Sequence, residues 1–311
     1  MRVVGVMEFG GPEALQLCDI PERHAGAGEV RVAVKAAAVN PTDTYTRNGD
    51  RAAMLASSPP PYVPGMDVAG VVDEVGEGVS SVAVGDDVMG IVMPRGSHGG
   101  YSESLVLPWQ SVVRAPRGAS HAEASTLPMN GLTARLSLDL LGLVAGQTIA
   151  VTGAAGAYGG YVIQLSKAEG LHVIADASEK DEELVRSLGA DTVLRRGDDI
   201  AARIREVAPD GVDGLADGSV QGELLVPAVR DGGCIATVRG WSGETDRGIT
   251  VKSTWVRDYV KEHAKLDELR RQAEDGVLTL RVARTFPAAE AAESHRLLEA
   301  GGTRGRFVIT F

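Results

Sequence analysis

Ile149-Ala150-Val151-Thr152-Gly153-Ala154-Ala155-Gly156-Ala157-Tyr158-Gly159-Gly160 runs from a short β-branched strand into a glycine-rich turn, and residues 161–168 continue it as a helix. A strand, a glycine turn and a helix N-terminus in that order make an anion site. The first backbone N–H groups of the helix and the positive end of its dipole favour a pyrophosphate, which missing side chains allow to approach. Ala154 stands where the generic G-x-G-x-x-G fingerprint has its first glycine, so the context carries the reading more than the motif does. Tyr158 is bulkier than the small or aliphatic residue expected there, and packs either as a lid beside a cofactor or as a cover on the helix.

Outward from this turn, short apolar strands alternate with amphipathic helices. Strands are expected at 149–152, 172–175, 192–194, 212–216, 234–238 and 249–251, with helices at 181–188, 200–207 and 222–229 between them. This is the βαβ pattern of a doubly wound parallel sheet, with six strands as in a dinucleotide-binding fold. Upstream, residues 122–143 look helical. Before them, short valine-rich runs at 30–34, 68–75, 88–92 and 105–107, bounded by Gly and Pro, read as an all-β unit. After a helix at 267–274, the segments 278–282 and 306–311 look like strands that rejoin the first domain.

With 311 residues the chain is long for one core, and two domains are expected. An apolar share of 44% and a charged share of 23% are those of a packed globular protein. The net charge of -11, without a Lys/Arg cluster, argues against nucleic acid as a partner. Met1 leads straight into a strand pattern and no long apolar run appears, so a cytoplasmic, non-membrane protein is the expectation. Cys18 and Cys234 lie far apart, with no Cys or His at ligand spacing, and read as inert thiols.

Several blocks together resemble the quinone oxidoreductase, or zeta-crystallin-like, branch of the medium-chain dehydrogenase/reductase superfamily. They are Phe9-Gly10-Gly11-Pro12-Glu13, Gly28-Glu29-Val30, Ala38-Val39-Asn40-Pro41-Thr42-Asp43-Thr44-Tyr45, and Pro64-Gly65-Met66-Asp67-Val68-Ala69-Gly70. Gly85-Asp86-Asp87-Val88, Gly131-Leu132-Thr133-Ala134, the turn at 153–160 and Leu188-Gly189-Ala190-Asp191 complete the series. The resemblance implies an α/β protein with a Rossmann domain at 123–262 and a GroES-like, mostly β catalytic domain at 1–122, completed by 263–311. It also implies a cleft between them, a homodimer, and a nicotinamide cofactor serving a small-molecule quinone or conjugated enone or enoyl acceptor.

Zinc-dependent relatives place Cys, a Gly-His-Glu segment and a further Cys or Asp around a catalytic metal. Here Asn40 holds the first ligand position and Met66 the His position, and neither is a plausible zinc ligand, so no metal is expected and alcohol oxidation is disfavoured. By resemblance, Asn40, Asp43 and Tyr45 line the catalytic cleft. Tyr45 is the expected donor to a substrate oxygen, Asn40 a polar contact to ribose or substrate, and Asp43 an orienting group. Asp67, in place of the segment's Glu, is expected to be a buried structural carboxylate.

The cofactor-binding set is expected to be Asn40, Thr133, Ala155, Gly156, Ala157, Tyr158, Gly159, Ser178, Lys180, Arg196, Val238 and Arg239. Val238 and Arg239 would act through the backbone at the nicotinamide amide. NADPH is favoured by Ser178, Lys180, Arg195 and Arg196, whereas Asp176, near the end of the second strand, keeps NADH possible. Arg239 and Trp241 replace residues that are usually small, and would either narrow the pocket or recruit an acidic substrate. Two other functions fit the same sequence: a cofactor-binding protein with little turnover, and a zinc-dependent alcohol dehydrogenase, to which stoichiometric zinc would point.

Overall fold

Alternating Val30, Val32 and Val34 turn one face of Glu29–Ala38 into a core, and the closing alanines bury both faces. This long strand centres a seven-stranded sheet. It pairs antiparallel with Asp67–Val75, Ser104–Pro108 and Arg306–Thr310. Val282–Pro287 lies outside Arg306–Thr310, while Asp87–Ile91 and Val112–Arg114 extend the opposite side. Segments from both ends of the chain thus build one sheet. Its interior contains Val3, Val6, Leu107, Tyr101 and an edge-to-face pair, Phe286 and Phe307, with ring centroids 5.5 Å apart. Each such valine or leucine adds about 1.5–3 kcal/mol on burial.

The structure, a computed structural model, describes residues 1–311 as two compact units: 1–129 with 260–274 and 280–311, and 130–259 with 275–279. The second unit is the six-stranded sheet anticipated from the βα alternation. Its order is Thr192–Arg195, His172–Ala177, Thr148–Thr152, Val212–Asp217, Val229–Thr237, Thr250–Ser253, all parallel. The order reverses between Thr148–Thr152 and Val212–Asp217, the switch point at which ligands of such sheets bind. No helix is long and apolar enough to cross a membrane.

Four expectations need correction. The helix expected over 122–143 is two helices, His121–Ala124 and Pro128–Leu141, because Pro128 opens the second and disfavours helical backbone before it. The segment 222–229 is not α-helical: Gly222–Ala228 is a 3-10 turn containing Pro227, and Val229 already starts a strand. The strand expected at 278–282 starts only at Val282 and runs to Pro287. Finally, Pro41–Asn48 and Ala291–Ala300 are helices that the sequence pattern did not disclose.

Candidate functional site

In the second unit, Thr148–Thr152 ends in the turn and Ala157–Ala168 starts from Gly156 as its N-cap. The glycines there are steric necessities. A Cβ on Gly159 would stand 2.5 Å from the Gly153 carbonyl oxygen and 2.7 Å from the Ala154 Cα, both backbone atoms that cannot rotate away. A Cβ on Gly156 would meet only the Gly153 oxygen, at 3.1 Å, so its hydrogen leaves open the approach to the helix N-terminus. The turn is a cradle of the kind a pyrophosphate occupies, and Ala155, Gly156, Ala157, Tyr158 and Gly159 form it.

Two buried carboxylates that sequence reasoning did not assign to the turn brace it. Asp176 accepts the Ala154 N–H at 3.0 Å, and burial, the largest influence, raises its pKa. Asp217 accepts from the Thr152 hydroxyl at 3.0 Å and from the Gly222 N–H at 3.0 Å. Asp176, read from sequence as a possible ribose ligand, is therefore turned to the glycine loop. Tyr158, read from sequence as a lid beside a cofactor or a cover on the helix, is held at both its hydroxyl and its ring. Its hydroxyl lies 2.7 Å from Ser137 Oγ, which is 3.1 Å from Thr254 Oγ1, and its ring packs where a Cβ on Gly218 would sit, at 2.9 Å. Thr133 accepts Ser137's hydroxyl through its carbonyl, one turn earlier on the same helix.

Around the end of His172–Ala177 the charges are mixed. Ser178 donates its hydroxyl to Asp181, and Arg195 pairs with Glu179 at 3.3 Å. Arg196 holds the Ala177 carbonyl through its backbone N–H, and its side chain faces Asp176 only through space. Lys180 and Arg196 are exposed. At the far side, Val238 and the exposed Arg239 follow the carboxyl end of Val229–Thr237.

In the first unit, Asn40 caps Pro41–Asn48, and Asp43, at the third helical position, accepts the Asn40 N–H at 2.8 Å. Asp43 also accepts from the Gly65 N–H at 3.1 Å and from the Tyr101 hydroxyl at 3.0 Å. The His295 Nε2 is 3.0 Å from that hydroxyl; since the hydroxyl donates to Asp43, Nε2 must carry the proton that reaches it. Burial, then the Arg47 charge, hold His295 neutral, with its pKa pushed down to about 3. Asn40 donates its side-chain amide to Asp67 at 2.6 Å, and Asp67 takes the Met129 N–H at 2.6 Å. Met66 accepts the Thr42 hydroxyl at its Sδ, 3.2 Å away. Tyr45 lies half-buried on the same helix, with the Arg51 guanidinium 5.7 Å from its ring centroid. Asn40, Asp43 and Asp67 thus share one network, of which Tyr101 and His295 are the members that sequence reasoning missed.

Burial drives both carboxyls up, Asp43 to about 6 and Asp67 to about 7. In an unfolded chain they ionise near about 3.9. Their protonated forms favour the folded state, so this contribution is complete below about 4 and is lost as pH rises through about 7. Comparing thermal unfolding of the wild type and Asp67→Asn from acid to neutral pH, the wild-type midpoint is expected to fall relative to the variant. Midpoints separated by a constant offset would show that Asp67 does not titrate there.

A cavity of about 750 Å³, lined by Arg205, Pro227, Glu244 and Arg247 among others, lies at the amino ends of the parallel strands, opposite the glycine turn. Its arginines donate to the Val226, Pro227 and Val229 carbonyls, a structural use.

Residues 26–117 match the family model of the alcohol dehydrogenase GroES-like domain, and 188–309 that of zinc-binding dehydrogenase. The chain is 34% identical to a 2-methylene-furan-3-one reductase of Solanum lycopersicum over 77% of its length, spanning 62% of that protein. It is 31% identical to the chloroplastic NADPH-dependent alkenal/one oxidoreductase of Arabidopsis thaliana, covering 97% of this chain and 77% of that one. Identity to a quinone oxidoreductase of Rattus norvegicus is 28%, covering 99% and 97%. A solved NAD-dependent alcohol dehydrogenase superposes with a TM-score of 0.87, at 30% identity and full coverage of both chains.

Proposed function

The chain belongs to the medium-chain dehydrogenase/reductase superfamily, in its quinone oxidoreductase branch, and on that premise we propose that it is an NADPH-dependent, zinc-independent reductase of quinones or conjugated enones. The observation that carries the reading is the glycine cradle at the switch point of a parallel sheet, closed to side chains at Gly159 and open at Gly156. Reduced nicotinamide, when bound, supplies a hydride to an electrophilic carbon of the acceptor, water supplying the proton that completes the reduction.

The chain's own residues set the conditions for that chemistry. The helix starting at Ala157 meets the pyrophosphate, with Asp176 and Asp217 holding the turn rigid beneath it. Because Asp176 serves the turn, Lys180 and Arg196 are the groups left to select a 2′-phosphate, against the nearby acids Glu179 and Asp181. Tyr45 is the donor to the acceptor's oxygen, while Asn40, fully buried with its amide on Asp67 rather than open to ribose or substrate, and Asp43, which fixes Asn40 through its backbone N–H, are positioning residues. The metal-free reading is supported by two engagements: the Asn40 amide serves Asp67, and Met66 accepts from Thr42. Thr250–Ser253 forms the outer edge of its sheet, which fits a homodimer built on that strand.

Steady-state turnover of one quinone with NADPH and with NADH tests the cofactor reading. NADPH is expected to be preferred, and Arg196→Ala to raise its KM by about tenfold, the loss of one charge-assisted phosphate contact, with little change for NADH. A wild-type preference for NADH would overturn it.

A further inference from the structure

We propose that Trp255 and Arg257, at the carboxyl edge of the parallel sheet, form a shelf that binds a carboxylate carried by the conjugated acceptor. The inference rests on the reductase reading and names the substrate class for it.

Thr237 and Ser253 are paired at the ends of adjacent strands, and the Thr254 N–H bonds to the Thr237 carbonyl at 2.8 Å. The two segments therefore leave the sheet side by side, at the end where doubly wound sheets bind ligands. Gly240 has φ +70°, and a Cβ on it would stand 2.8 Å from Cζ2 and 3.1 Å from Cη2 of Trp255. The glycine thus lets the indole edge lie against the backbone. Over the indole, the Arg257 guanidinium sits 5.3 Å from the ring. One tryptophan, still 42% exposed, therefore carries a guanidinium against its ring.

An exposed indole that carries a guanidinium suits a planar conjugated chain ending in a carboxylate, because the guanidinium fork matches carboxylate geometry and the exposed part of the ring offers an apolar contact to the chain. The charge runs against the chain's net -11. Asp258 approaches Arg257 only to 3.9 Å, with both side chains largely exposed, so a ligand carboxylate meets weak competition. The acids Glu244 and Asp246 lie instead at the cavity on the opposite end of the strands.

The test compares trans-4-oxo-4-phenylbut-2-enoate with its methyl ester as acceptors, following NADPH oxidation. The ester is intrinsically the better electrophile. A wild-type kcat/KM favouring the acid is expected, with the acid-to-ester ratio falling about tenfold in Arg257→Ala, as for loss of about 1.4 kcal/mol of binding, and largely restored in Arg257→Lys. High salt should lower the same ratio in the wild type. Equal ratios in wild type and Arg257→Ala would overturn the shelf while leaving the reductase reading intact. Reduction of neither compound nor of a neutral quinone would instead overturn the reductase reading. Calorimetric binding of the acid against the ester, in wild type and Arg257→Ala, then decides the shelf alone: tighter binding of the acid that depends on Arg257 supports it, and no difference rejects it.

Discussion

Gly159→Ala is expected to abolish nucleotide binding under conditions where the wild type saturates. The added methyl group would meet backbone atoms at 2.5 and 2.7 Å, so the helix Ala157–Ala168 must move away from Gly153 and Ala154. Overpacking of this kind costs about 1–3 kcal/mol. The displacement also moves the N–H groups that would face the pyrophosphate, and a loss of about 100-fold in NADPH affinity corresponds to only about 2.8 kcal/mol. Gly156→Ala separates the two effects. Its methyl group meets one oxygen at 3.1 Å, so the fold should persist while the open face of the cradle fills. Weaker NADPH binding with a nearly unchanged melting midpoint is expected for Gly156→Ala. If both variants bind NADPH like the wild type, the cradle is only a turn.

Asp43→Ala should produce the largest loss of stability. The substitution leaves the Asn40 N–H, the Gly65 N–H and the Tyr101 hydroxyl without their acceptor, and removes a charge that faces Arg306. Breaking a buried, hydrogen-bonded charge cluster costs about 3–5 kcal/mol, or a fall of about 10 °C in the melting midpoint for a unit of this size. Tyr101→Phe removes one donor and should cost about 1 kcal/mol. Because the two side chains share a hydrogen bond, the double variant should lose less than the sum of the single losses. Strict additivity would show that Tyr101 and Asp43 act independently.

The second unit was legible because its sheet is buried: Ile149–Thr152 is almost wholly β-branched, and Ile200–Val207 carries a clear apolar stripe. Pro41–Asn48 was not legible because Pro-Thr-Asp-Thr-Tyr-Thr-Arg-Asn lacks an apolar stripe and has only Arg47 as a strong helix former. A signal did exist in Asn40, Pro41 and Asp43, which occupy the cap, first and third positions of a helix start. Asp43 and Asn40 could be named from the motif, yet their partners could not. Tyr101 and His295 are 194 residues apart and meet only because Arg306–Thr310 joins the sheet of Glu29–Ala38. Asp176 shows a related limit: its place near the end of the strand could be read from the sequence, but its bond to the Ala154 N–H, which crosses to the preceding strand's turn, could not.

Rapid mixing of the NADPH-loaded protein with a quinone under single-turnover conditions tests the central claim most directly. The expected result is loss of the reduced-nicotinamide absorbance at a rate that rises with quinone concentration and saturates. Tight NADPH binding without any oxidation, across both quinones and alkenones, would contradict it and leave a nucleotide-binding protein in place of a reductase.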